Sequence, residues 1–515
     1  MEQLSGQDAT FLYLESPRMP MHIGSINIYD QSTAPGGEVR FKQILDLIES
    51  RLHKARAFRQ RLVQVPMALD YPYWIQDPNF DLEFHVRHIA LPKPGDWRQL
   101  CIQAARLHSR QLDLSRPLWE FTIIEGLDNV AGLPRGSYAM LAKVHHSAID
   151  GATGAEITAA LHDLGPEGTV VAPDRPWVAE QPPSALELLL RTYGNNIRQP
   201  FQLLKVLSQA VPVIAETRRR IARQELKAAG EVPKTIFNAR VSAHRVFEGR
   251  DFDLADVKTM RRALPGATVN DVVLAVCSGA IRSYLSAHGA LPQESLVAMA
   301  PVNVRVDTER GTGGNQVSAL AVAIRTDIAD PLERLGAVHA HTRDAKELSN
   351  AYGARLMTDI NKHIPAATLA LAGRLVTQLG VGNMISPLFN CVITNVPGPQ
   401  VPLYMNGARL VTQYGLGPVG DSIGLFMPVL SYNGRLTISF TSCREIMPDP
   451  ERFAACIEAS FAEMLAAARR ALGEVAPDPD QDLQQPIAAQ SASASADVYT
   501  SDAESGGSAG VSWTG

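Results

Sequence analysis

Apolar residues recur along this chain with two periods, and the switches between them outline its elements. From Ile23 to Tyr29 they alternate with polar ones, as in a half-buried strand, whereas Ile44, Leu45, Ile48 and Leu52 recur at the spacing of a helix face. A second amphipathic helix is expected over about Trp97 to Leu112. Trp119 to Ile124 and Tyr138 to His145 read as two strands joined by a Gly/Pro-containing loop, the second delivering His146 to the sheet edge. A helix is expected just after Gly151, and a Pro-, Gly- and Glu-rich stretch near 165–183 marks the first boundary.

Between Ser184 and Ala229 the pattern turns helical, with Leu186, Leu189, Leu190, Leu203, Leu204, Val206 and Leu207, and is expected to break at Pro200 and Pro212. Its end is basic: Arg218, Arg219, Arg220, Arg223 and Lys227. Two readings stay open here, a connector packed on the domains with a solvated charged end, or an interfacial helix whose apolar face meets lipid. Mixed α/β character resumes at Arg245, with strands expected over Val297 to Val304 and Phe389 to Val396. Leu430 to Ile438 reads as a hairpin around Asn433-Gly434, since Asn-Gly readily takes the positive φ angles of a type I′ turn. A terminal helix follows, with Phe453, Ile457, Phe461, Met464 and Leu465 facing inward.

At 515 residues the chain exceeds one ordinary core, and its 45% hydrophobic content supports two. The expected division is 1–180, an N-terminal domain; 181–235, a helical, partly basic connector; 236–475, a C-terminal domain; and 476–515, an acidic Ser/Ala/Gly-rich tail without Lys or Arg, expected to be disordered. A net charge of −5 and a pI near 6.2 provide no global basic field, which excludes nucleic acid as the main partner. The five cysteines are scattered and lack Cys-x-x-Cys spacing, so neither a disulfide framework nor a metal site is expected, and a reducing cytoplasm fits. The first residues carry no basic region followed by an apolar core, and no apolar run reaches the ~18 residues of a membrane span, so any membrane contact is expected to be peripheral.

The densest chemistry lies in His145-His146-Ser147-Ala148-Ile149-Asp150-Gly151. It sets an imidazole at a strand end, with an unperturbed pKa of about 6.5 that suits taking up and returning a proton within one turnover. Neighbouring side chains of an extended segment point to opposite faces, so one histidine of the pair addresses a given pocket. Asp-Gly alone also reads as an ordinary turn, and strand-end histidines often satisfy local hydrogen bonds. Thr268 to Asp271 precedes an apolar helix and reads as its cap.

The His-His-x-x-x-Asp-Gly pattern resembles the active-site motif of the coenzyme-A-dependent acyltransferases related to chloramphenicol acetyltransferase. Further segments narrow the resemblance: Asp8-Ala9-x-Phe11-Leu12, Pro20-Met21-His22-Ile23-Gly24, Pro117-Leu118-Trp119, Asn270-Asp271-Val272-Val273-Leu274-Ala275, Pro301-Val302-Asn303-Val304-Arg305 and Thr394-Asn395-Val396-Pro397-Gly398-Pro399. Together, from about residue 4 to about residue 470, they resemble the bacterial wax ester synthase/diacylglycerol acyltransferase family. The resemblance implies two similar acyltransferase domains of mixed α/β sheets with a substrate tunnel between them. It implies transfer of a long-chain fatty acyl group from acyl-coenzyme A, a substrate rather than a cofactor, to diacylglycerol or a long-chain fatty alcohol. His146 would be the base and Asn270 a second catalytic residue, a donor to the oxyanion. His145, Asp150, Gly151 and Asp271 would support the site; Pro117, Leu118, Trp119, Asn395, Pro397 and Gly398 would line a pocket or tunnel. No metal or cofactor is implied, and the place of work would be cytoplasmic, on the inner membrane face or lipid inclusions. A related transferase for a polyketide or sugar acceptor, and a non-catalytic coat or tether of lipid inclusions, are the alternatives.

Overall fold

The computed structural model describes residues 1–149, 151–168, 177–223, 225–226, 230–303, 317–352, 366–371 and 387–474. Asp150, Lys227, Val304, Arg305 and the expected tail 476–515 lie outside the described residues. Seven strands precede residue 150: β1 (Glu2–Gln3), β2 (His22–Asp30), β3 (Gln60–Val63), β4 (Tyr73–Gln76), β5 (Val86–Ala90), β6 (Trp119–Glu125) and β7 (Tyr138–His145). The later strands are β8 (Arg245–Asp253), β9 (Val297–Asn303), β10 (Val317–Ala323), β11 (Cys391–Pro397), β12 (Tyr404–Met405), β13 (Ala408–Leu416), β14 (Phe426–Tyr432) and β15 (Arg435–Cys443).

Two six-stranded sheets organise the molecule, one ordered β12-β13-β2-β7-β6-β5 and the other β10-β9-β11-β14-β15-β8, beside a small sheet β1-β4-β3. Both large sheets mix parallel and antiparallel pairs; β5 runs parallel to β6, and β11 parallel to β14 and β9. One face of the first sheet is covered by helix Phe41–Arg51, which buries Ile44 and Ile48 as the spacing predicts; the other is covered by helix Trp97–His108. The second sheet packs on helices Val269–Ala287 and Pro450–Ala471, where Phe453, Ile457, Phe461 and Met464 turn inward. Val429 faces Ile438 across the predicted hairpin, with Asn433 at φ 44° and Gly434 at φ 80°.

Three features depart from the sequence-based expectations. β13 leaves the second half of the chain and completes the first sheet, Leu410 to Leu416 pairing with Tyr29 to Gly24 of β2. It also leans on the second sheet: Thr437 Oγ1 donates to Gln413 O (2.7 Å), and Ser439 Oγ to Gly415 O (2.8 Å). A side chain at Gly415 would put its Cβ 2.7 Å from Pro428 Cβ, so glycine is what lets the sheets meet this closely.

The second departure is helix Ala185–Ala222, 38 residues long, which continues through Pro200 and Pro212 instead of breaking. Proline deletes an amide donor and crowds the carbonyl four residues back, and a helix anchored on both sides of it absorbs this as distortion. Leu188 packs on Val65 and Tyr73 on one side, and on the other buried Thr217, whose Oγ1 donates to Val213 O (2.8 Å), lies 3.4 Å from Ala351 O. Third, His146 follows an interior strand, because β7 lies between β2 and β6; it stands at a strand's end, not at the sheet's edge.

Candidate active site

β7 ends at His145, and the chain turns through a short 3₁₀ segment, His146–Ala148. His145 lies opposite His22 of β2 and is fully buried. Its Nδ1 receives the backbone N–H of Ser147 (3.1 Å) and lies 2.7 Å from Ser147 Oγ. A backbone amide only donates, so Nδ1 acts as the acceptor, and a ring proton sits on Nε2. That nitrogen faces Oε2 of Glu15 at 3.6 Å, and the Glu15 side chain is only 3% exposed.

His146 turns the other way. Its backbone N–H donates to Met21 O (2.9 Å), and its half-buried ring stacks on Phe11 with centroids 3.8 Å apart and planes 9° from parallel. Phe11 belongs to helix Gly6–Leu14, which starts at Ser5, whose Oγ accepts the Asp8 N–H (3.1 Å). Desolvation by the surrounding protein is the main cause pushing the His146 pKa down to about 4, so the ring is neutral and able to accept a proton at pH 7.

The remaining candidates fall into separate places. Leu118 O accepts the His145 N–H (2.9 Å), and Leu118 packs with Leu4, Ala9 and Leu12 of the segment carrying Phe11. Pro117 bridges to Arg61. Trp119 is a core residue: 1% exposed, it donates from Nε1 to Phe58 O (3.0 Å) and stacks on His85 at 4.5 Å. Gly151 opens helix Gly151–Leu161.

Asn270 occupies the first turn of helix Val269–Ala287 in the other layer, half-buried. Its neighbours form the cap: Asp271 Oδ2 accepts Thr268 N–H (2.8 Å), Thr268 Oγ1 (2.8 Å) and His339 Nδ1 (3.0 Å). Oδ2 of Asp271 is thereby engaged at the helix start, and the Asn270 amide lies outside the capping box. Asn395 and Pro397 lie on β11 opposite Val429 and Ser431 of β14. Gly398 N–H donates to Ser431 O (2.8 Å), and a Cβ there would sit 2.4 Å from that same oxygen.

A buried polar row runs under His145 on the face covered by helix Trp97–His108. Lys143 Nζ donates to Leu107 O (3.2 Å) and Arg110 O (3.1 Å), carbonyls at the helix's end, and lies 3.4 Å from Glu120 Oε1. His22 and His108 meet edge to face, centroids 4.6 Å apart; burial drives His22 far below its ordinary pKa and His108 to about 3. The sequence motifs marked Phe11, Met21 and His22 but not what they touch, and Glu15, lying between the motifs, carried no signal at all. Among the described residues no cluster of three or more His, Cys, Asp or Glu could hold a metal.

A family model for the wax ester synthase/diacylglycerol acyltransferase catalytic domain matches residues 4–273, and one for the C-terminal domain of the same proteins matches 313–465. A putative diacylglycerol O-acyltransferase of Mycobacterium tuberculosis is 33% identical over 450 residues, 87% of this chain and 87% of that protein. This chain belongs to the wax ester synthase/diacylglycerol acyltransferase family. A probable diacylglycerol O-acyltransferase of the same organism is 30% identical over 476 residues, 90% of this chain and 99% of that one. Among solved structures, the family's enzyme from Marinobacter aquaeolei VT8 superposes with a TM-score of 0.63 at 28% identity, covering 90% of this chain and 99% of its own. The fold reaches further, to the starter condensation domain of rhizomide synthetase, with a TM-score of 0.50 at 15% identity over 91% of this chain and 94% of that one. The mixed sheets and the two-part family match bear out the two-part, mixed α/β architecture expected from the sequence.

Proposed function

We propose that this chain is an acyl-coenzyme-A-dependent O-acyltransferase that moves a long-chain fatty acyl group to diacylglycerol, to a long-chain fatty alcohol, or to both. The observation that carries the chemistry is His146: a neutral imidazole at the end of an interior strand, held flat on Phe11, in a chain of this family. The imidazole takes the proton of the acceptor hydroxyl as its oxygen bonds to the thioester carbonyl carbon. The resulting oxyanion collapses, the carbon–sulfur bond breaks, and the imidazolium returns its proton to the departing thiolate. The products are an ester and free coenzyme A, with no covalent acyl-enzyme. Such a base contributes about 10²–10⁴-fold.

In this scheme the Asn270 amide donates to the oxyanion, where a fixed donor stabilises developing charge. Acyl-coenzyme A enters as substrate, with no cofactor required by any step. Purified protein given palmitoyl-coenzyme A with either diacylglycerol or hexadecanol should release thiol and form ester. Absence of product with both acceptors overturns the reading.

The acceptors partition into lipid, and we place the enzyme at a cytoplasmic lipid surface, the inner membrane face or an inclusion. Among the described residues no helix is long and apolar enough to cross a membrane. Support for peripheral contact comes from helix Ala185–Ala222: Leu188 and Thr192 turn inward, while Leu186 (68%), Leu190 (66%) and Tyr193 (72%) stand exposed on the opposite side. Val211 and Arg218 are exposed further along the helix. Exposed apolar side chains together with arginines suit an anionic bilayer. Leu190→Glu should weaken co-flotation with anionic vesicles and leave the melting temperature in place; undiminished flotation removes this helix from the contact.

A further inference from the structure

We infer that Glu15 is a positioning residue for His146, acting through Met21 and His145; the inference rests on His146 being the base. Glu15 caps the C-terminus of helix Gly6–Leu14, and its carboxylate reaches two strands at once. Oε1 accepts the Met21 N–H (3.3 Å), and Oε2 faces Nε2 of His145 at 3.6 Å. Met21 in turn accepts the His146 N–H through its carbonyl (2.9 Å), and Phe11, one turn earlier in the Glu15 helix, supplies the ring beneath the His146 imidazole. The contacts close a ring. Glu15 ties the helix bearing Phe11 to the strand entry at Met21 and to the turn bearing His146, without touching the His146 side chain itself.

The charge state matters to this arrangement. Ser147 N–H occupies Nδ1 of His145, which leaves Nε2 to carry the ring proton on the side of the Glu15 carboxyl, 3.6 Å away and beyond direct hydrogen-bond reach. A buried carboxylate is costly without such partners, and its 3% exposure leaves little water to replace them. Replacing it by an amide sets the His145 proton against an N–H₂ group or forces the amide to turn its donor onto the Met21 N–H. Either response loosens one side of the turn.

The test compares Glu15→Gln and Glu15→Asp in the full chain, with palmitoyl-coenzyme A and hexadecanol. Glu15→Gln is expected to lower kcat roughly ten- to a hundredfold with KM within about twofold, because misplacing a reacting group costs rate rather than binding. Glu15→Asp, which keeps the carboxylate, should recover part of the loss. In a His145→Ala background Glu15→Gln should cost clearly less than it does alone, the sign of coupled residues. A Glu15→Gln enzyme at wild-type kcat, a loss confined to KM, or fully multiplicative effects with His145→Ala would each overturn the inference. Should the variants fold poorly, nitrogen-15 spectra of histidine-labelled wild-type protein decide it: His145 is expected as the Nε2–H tautomer, and the Nδ1–H form refutes the arrangement. His146→Ala separates the two levels, since an active His146→Ala enzyme sinks the base assignment, whereas an inactive one beside a fully active Glu15→Gln sinks only the role of Glu15.

Discussion

Phe11 and His146, 135 positions apart in the chain, lie ring on ring with centroids 3.8 Å apart. The stack fixes the imidazole plane at the end of β7 and keeps water from one of its faces. Two consequences can be measured. His146→Ala should lower kcat by about 10²–10⁴-fold and leave the melting temperature nearly unchanged, since the half-buried ring supports no core cluster. A variant with wild-type turnover would refute the base.

Phe11→Ala should move the pH–rate profile. A base works only when unprotonated, so kcat/KM falls as the pH drops through its pKa, near 4 for His146 in the intact protein. Removing the ring admits water, relieves part of the desolvation and raises that pKa toward the ordinary ~6.5. The acid limb of kcat/KM should shift to higher pH. An unmoved limb would show that Phe11 does not set the environment of His146.

Adjacent Asn270 and Asp271 should separate cleanly. Asp271→Ala removes the acceptor of Thr268 and His339 and should cost about 1–2 kcal/mol of stability, read from chemical denaturation. Asn270→Ala should leave stability in place and lower kcat about 10²–10³-fold if its amide meets the oxyanion. Normal turnover in Asn270→Ala would remove it from the chemistry.

Stability should decline on mild acidification. Burial holds His22, His108, His146 and His162 below their ordinary pKa, to about 3 for His108 and about 4 for His146 and His162. Between roughly pH 6.5 and 4 the unfolded chain therefore binds more protons than the native one, so stability rises with pH through this window and is lost as pH falls, by up to ~1.4 kcal/mol per pH unit for each such group. Melting temperatures from pH 7.5 to 5 should show the slope, and His108→Leu should flatten it. A flat wild-type profile contradicts the buried neutral state of these rings.

Much of this was legible from residue pattern alone. Ile44 and Ile48, the Asn433-Gly434 turn and the inward row Phe453, Ile457, Phe461 and Met464 each follow from local periodicity or turn chemistry, and each has its place in the fold. Family motifs marked Phe11, Met21 and His146 as separate signals. What periodicity does not carry is partnership over long separations: the Glu15–His145 contact, the Phe11–His146 stack and the passage of β13 to β2 join positions 130 to nearly 400 apart. Trp119 shows the converse, a motif residue whose neighbours are a core, with Phe58, His85 and Phe121 around its indole. The continuity of the helix through its prolines is not legible locally, because its neighbours Val65, Tyr73 and Ala351 are distant in sequence.

The exchange of β13 has a consequence for how the molecule is made. While the chain emerges from the ribosome, β2 is complete by residue 30, yet its partner on one side is not synthesised until residue 408. For most of translation β2, whose start at His22 pairs with His145, keeps a bare row of backbone donors and acceptors facing outward. The hydrogen-bonded frame beside the histidine pair is thus finished only after residue 408 has been made, so a product truncated between the halves is left with an open, adhesive edge beside the turn that carries His146.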